Sequence, residues 1–211
     1  VVAAGVAAAL TGKPPGPEAS NQVVQHFFID HGGQVVAQGW LYALATGLVI
    51  WFALAVRRLL HQASTGHHFG DLFFFFVGTV SVAALSFVAM AIRIVAAGAA
   101  DELSPSAVRA VGADFSLVLL ALCGFIVGAA AIGYASCVIP EGVLPRWTGW
   151  LAIAAAVVNL GGTLSVFVDG GPFSIEGGLA TLLPVVFTAV WYLGVSVALL
   201  RARTDVDQAV A

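Results

Sequence analysis

Long runs of apolar residues, interrupted at intervals by short clusters of charge, glycine and proline, dominate this chain. Residues 34–60 carry no charge until Arg57 and Arg58, and their apolar centre runs from Leu41 to Val56. Similar runs follow at 71–97, 109–135, 146–168 and 179–200. Each exceeds the roughly 20 residues that a helix rising 1.5 Å per residue needs to cross a hydrocarbon core about 30 Å thick. The opening VVAAGVAAAL, residues 1–10, reads as the end of a further span whose start is missing. A cleaved signal peptide is the alternative, although no n-region or cleavage site is visible. TGKPPGPEASNQ is a Pro- and Gly-rich loop. Gln22 to Gly33, with Phe27 and Phe28 beside His26, Asp30 and His31, suits the membrane interface as an amphipathic or irregular segment. HQASTGHHFGD, ASCVIPEGVLPRW and DGGPFSIEGG are expected loops, and RARTDVDQAVA a short polar tail. The pattern predicts an all-α, polytopic transmembrane helix bundle of about six spans forming one domain over 1–211.

Composition sharpens this reading. Hydrophobic residues make up 60% and charged residues 9% of the chain, and mean hydropathy is +1.01. A soluble domain carries about 25% charged residues, so this chain needs lipid as its solvent. Lysine occurs once, at Lys13, and there is no basic patch with interleaved aromatics, which argues against nucleic acid as a partner. Membrane lipids are the expected surroundings. Cys123 and Cys137 are too few to hold a zinc ion alone.

The positive charges predict an orientation. Arg57, Arg58, Arg146, Arg201 and Arg203 fall at one end of the spans, and Lys13, Arg93 and Arg109 at the other. The bias of five to three puts both termini in the cytoplasm of a bacterial inner membrane.

Helices in lipid associate through close backbone contact and a few polar groups. Gly124 and Gly128 form a GxxxG pair, and Gly161 and Ser165 a small-xxx-small pair. Both suit packing within the chain, or a seam for a second copy or another subunit. Phe73 to Phe76 and Phe87 are bulky enough to face lipid or fill space between helices.

Candidate chemistry is sparse. His61, His67 and His68 share a loop with Asp71, a weak candidate metal set whose spacing matches no ligand rule; Asp71 is also placed to cap the next helix. None of the five histidines lies mid-span, which argues against intramembrane haem and against a His-based proton relay, and no cofactor is expected. Arg93, Asp114 and Asp169 lie at one end of three different spans. Arg93 is expected to pair with Asp114, the set being a structural clamp or the polar floor of a headgroup-binding cavity. Asn159, followed by Gly161, Gly162 and Thr163, is either one interhelical hydrogen bond or part of an unwound transport site. No protease signature, phosphate loop or dinucleotide fingerprint is present, so an enzyme is not the expected reading.

From Pro140 to Gly162, PEGVLPRWTGWLAIAAAVVNLGG resembles the element that enters the fifth span of DUF4386-like proteins. These are small multi-span bacterial membrane proteins, common in actinobacteria, grouped as a domain of unknown function. The Ala, Gly and Val bias also looks like a high-GC genome. The resemblance implies a fold and no activity. The element's physical role is plain: Pro145 starts the helix, while Arg146, Trp147 and Trp150 anchor it at the interface. Three functions fit the chain: a structural or accessory subunit of a larger membrane complex, a small permease or lipid-binding protein, and a membrane-embedded enzyme or cofactor holder.

Overall fold

The computed structural model describes residues 15–16, 19–63, 69–168, 170–174 and 178–210. The expected span 1–10 and the residues His67, His68 and Asp169 lie outside these. The described residues form α1 (Asn21–Asp30), α2 (Gly32–Ala63), α3 (Phe69–Gly98), α4 (Pro105–Glu141), α5 (Arg146–Thr163) and α6 (Gly178–Val210). Helices α2 to α6 are long and apolar enough to cross a membrane, and the protein is an integral membrane helix bundle.

Several helices overrun the lengths read from hydropathy, because a helix need not stop where the hydrocarbon does. Gln22 to Gly33 resolves into α1 and the start of α2: the Ser20 side chain caps α1 on Val23 N–H, and only His31 separates the two helices. Asp71 is not an N-cap but sits in the first turn of α3, where a carboxylate faces the positive end of the helix dipole. The segment ASCVIPE continues α4 rather than forming a loop. Gly142 ends it in the left-handed conformation (φ 66°), returning its N–H to the Val138 carbonyl. Pro140 is tolerated because it falls in the last turn. α5 stops at Thr163 and tightens into a 3₁₀ turn, Leu164–Phe167. The polar tail continues α6 to Val210.

Charge marks the bilayer on α3. Between Asp71 and Arg93 lie 21 residues without a charge, about 31 Å of helix, the thickness of a hydrocarbon core. Arg57, Arg58, Glu141, Arg146 and Arg201 gather at the same end as Asp71, the Arg-rich end; α1 caps the other end.

Neighbours in sequence pack side by side, with α3, α4 and α5 at the centre. Glycine sets the closest approaches. A Cβ added at Gly133 would lie 2.6 Å from the Asp71 carbonyl oxygen, and one at Gly78 2.8 Å from Ala130 Cβ, so α3 and α4 meet at backbone distance. The GxxxG pair performs the same task between α4 and α5. A Cβ at Gly124 would lie 2.6 Å from the Asn159 carbonyl oxygen, and one at Gly128 2.8 Å from Leu160 Cγ. Of the other small-residue pair, Ser165 is buried, whereas Gly161 faces open space; Gly162, against Pro184, carries the contact with α6.

The main core lies toward the Arg-rich end. There Ala53, Val56 and Leu60 of α2 join Leu72 and Phe75 of α3, Tyr134 of α4, Ala152 and Ala155 of α5, and Trp191 and Val195 of α6. Phe75, Tyr134 and Tyr192 surround the Trp191 indole with centroid separations of 6.2, 5.4 and 4.9 Å. Phe75 is therefore core, while Phe73, Phe74 and Phe87 are exposed to lipid. Of the five tryptophans, only Trp191 is buried; Trp40, Trp51, Trp147 and Trp150 lie on the outer surface.

These approaches generate a contrast in tolerance. Gly124→Val is expected to lower stability by about 1–3 kcal/mol through overpacking against α5 backbone. Gly161→Ala is expected to be neutral or to stabilise by up to about 1 kcal/mol, since its Cβ meets nothing and alanine favours the helix. Unfolding of both variants in detergent checks the ordering.

Candidate functional site

The polar residues singled out from the sequence fall at two levels of the bundle. Asn159, 5% exposed, is at the inner seam of α4, α5 and α6. Its amide donates to the Ala155 carbonyl (2.8 Å) within α5 and to Thr188 Oγ1 (2.9 Å) on α6. The α5 backbone stays helical through Gly161 and Gly162, so Gly162 serves close approach to Pro184 rather than unwinding, while Gly161 faces open space. Beside them, between the end of α5 and the start of α6, an apolar recess of about 320 Å³ is lined by Gly161, Gly162, Leu164, Ser165, Leu183 and Pro184.

The second level is at the α1 end, where α4 departs from α-helical geometry. Residues Arg109–Phe115 form a π-helical segment between α-helical turns. In an α-helix residues five apart diverge by about 140°. The i→i+5 rings of a π segment bring them onto one face. Arg109 Nε accordingly lies 3.7 Å from Asp114 Oδ2. Ser116 stabilises the change of register: its hydroxyl lies 2.8 Å from the Ala113 carbonyl oxygen and 3.2 Å from that of Gly112.

The same segment, with the turn between α3 and α4, holds α1 in place. Arg109 Nη1 donates to the Ala19 carbonyl (2.6 Å), and Gln25 Nε2 donates to the carbonyls of Ala100 (2.7 Å) and Leu103 (2.9 Å). Phe28 packs against Gly112, where a Cβ would lie 2.9 Å from the Phe28 ring. Val24, Phe27, Phe28, Val35, Ala100 and Val108 form a small second core under this cap.

This geometry overturns the expected Arg93–Asp114 pair. The two residues lie at one level of the bundle, as the contacts of Gly112 with Ala96 and of Gly78 with Ala130 fix the α3–α4 register. The π segment nonetheless turns Asp114 toward Arg109. Arg93 makes no ion pair or hydrogen bond with any described residue, and its Nε is enclosed without a partner. Sequence reading missed the residue level with it on α2, Gln38, which is 7% exposed with an enclosed, unpartnered Oε1. Gln38, Tyr42 and Thr46, four residues apart in turn, form a polar stripe on α2 that would have marked the position.

The histidines do not converge among the described residues. His61 is exposed near the end of α2, His26 is exposed on α1, and the His31 ring stacks on Phe27 at 4.7 Å, its Nδ1 3.1 Å from the Phe27 carbonyl oxygen. No group of three or more His, Cys, Asp or Glu residues that could hold a metal ion occurs among the described residues. Cys123 and Cys137 are buried free thiols.

Neither family models, curated proteins nor solved structures give a match to this chain.

A double-mutant cycle on Asn159→Leu and Thr188→Val tests the α5–α6 bond. The expected coupling is about 0.6 kcal/mol and no more than about 1.7, the range for interhelical hydrogen bonds in a bilayer. Reversible unfolding in mixed micelles reads it.

Proposed function

We propose that this protein is a structural or accessory subunit of a larger complex in a bacterial cytoplasmic membrane, with its Arg-rich end in the cytoplasm, and that α2 is the helix that docks the partner. One observation carries the reading: Trp51 is 77% exposed near the middle of the bilayer. The contacts of Gly32 with Ala97 and of Gly39 with Ile94 set the antiparallel α2–α3 register. They bring Trp51 level with about Val80, two residues from the centre of the charge-free stretch of α3. Tryptophan is enriched at membrane interfaces, where its N–H finds water or headgroups. A tryptophan facing out at mid-depth has no such partner in lipid, whereas buried tryptophans are frequent anchors of protein interfaces.

The surroundings of Trp51 support the same reading. Trp40, Leu44, Gly47, Trp51, Ala55 and Arg58 all lie exposed along one face of α2, at spacings of three and four residues that keep them on one stripe of the helix. Gly47 leaves open space one turn from Trp51, a bulky knob beside a gap. The GxxxG pair of α4 is occupied within the fold, so a seam for a partner belongs on α2 instead.

Extraction from native membranes in mild detergent is expected to give a particle larger than one chain, with a partner in fixed ratio. Trp51→Ala is expected to release that partner while leaving the helical content unchanged, and Trp150→Ala, at the Arg-rich interface, to leave the particle intact. A wild-type particle holding a single chain would remove this reading.

A further inference from the structure

Arg93 and Gln38 present a second, separate feature. Gly39 of α2 faces Ile94 of α3 across their seam; a Cβ there would lie 2.5 Å from Ile94 Cδ1. In an antiparallel pair, the residues just before these two contact positions project to one side of the seam, and the residues just after them to the other. Trp40 and Val95, the residues after, are each 66% exposed. Gln38 and Arg93, the residues before, therefore share the opposite side, where Gln38 is buried and Arg93 half-buried.

Two enclosed polar atoms meet no partner here, Gln38 Oε1 and Arg93 Nε, one an acceptor and the other a donor. The guanidinium stays charged at any relevant pH. No carboxylate among the described residues neutralises it, since Asp114 is engaged by Arg109. Arg93 ends the charge-free stretch of α3, so its charge lies at the depth where hydrocarbon gives way to phosphate. An uncompensated charge at that depth is costly unless an anion joins it.

We propose that Arg93 is the headgroup site for an anionic phospholipid in the leaflet at the α1 end. The phosphodiester takes two parallel hydrogen bonds from the outer guanidinium nitrogens, the bidentate geometry that favours arginine over lysine. With the guanidinium so fixed, Nε–H turns inward and donates to Gln38 Oε1, which satisfies both enclosed atoms. Gln38 is thus a positioning residue and makes no contact with the lipid. The site faces away from the Trp51 face of α2 and does not depend on the proposed docking there.

Lipid retention tests this on the full chain, reconstituted with equal phosphatidylglycerol and phosphatidylcholine, extracted, and weighed by native mass spectrometry. Both lipids carry the phosphodiester, but choline's fixed positive charge is repelled by the guanidinium, so wild type is expected to retain phosphatidylglycerol about tenfold over phosphatidylcholine. Arg93→Gln is expected to abolish the preference, Arg93→Lys to restore part of it, and Gln38→Leu to reduce it a few-fold. Arg58→Gln, at the opposite end, is expected to leave it unchanged. Inorganic phosphate added to the lipid-free protein is expected not to raise its Tm, whereas phosphatidylglycerol raises it. Equal retention of the two lipids by wild type would overturn the proposal even if Arg93→Gln failed to fold. So would an unchanged preference in a folded Arg93→Gln protein. A Tm rise with phosphate matching that with lipid would overturn the lipid as occupant.

Discussion

Backbone-to-backbone approach along α4 is the constraint on which the rest of this bundle depends. In lipid, burying one more leucine gains little, because the surroundings are already apolar. What remains is dispersion, which falls away with any gap, and the avoidance of unpaired polar groups. Gly133 and the Gly78–Ala130 contact bring α3 against α4, while Gly124 and Gly128 bring α5 against it. Once those three helices are fixed, their large side chains have a place to go. Tyr134 reaches Thr148 Oγ1 at 2.9 Å, and Phe75 and Trp191 fill the space beside it.

Polar groups inside the bundle follow a consistent economy. Thr79, Ser116, Ser136, Thr163 and Ser196 each approach a carbonyl three or four residues back on their own helix, which spares them the need for a neighbour. Asn159 and Tyr134 bridge helices instead. Against this background the unpartnered atoms of Gln38, Arg93 and Trp191 are exceptions. At Arg93 the π segment of α4 bears on this, because it gives Asp114 to Arg109.

The architecture was legible in the sequence because hydropathy is a property of runs, and the runs here are long. The helix ends were less so: Glu141 and the tail after Leu200 are polar, yet helices project beyond the hydrocarbon without penalty. The use of Gly124 and Gly128 was legible as a type of contact but not as a choice of partner, since GxxxG serves a neighbour in the same chain as readily as another chain. Arg93 was legible as a strained charge. Its separation from Asp114 was not, because no residue in RAVGADF announces a π turn, and a shift of one hydrogen-bond register redirects a side chain by about 100°.

The distribution of the tryptophans gives the molecule a built-in optical partition. Four indoles look out into the acyl chains or their borders, and the fifth, Trp191, is sealed among Phe75, Tyr134 and Tyr192. Brominated acyl chains quench only the fluorophores they touch. With the chain alone in a brominated bilayer, Trp191 is the indole sealed from those chains, and its surviving emission reports the integrity of the bundle's centre without any label.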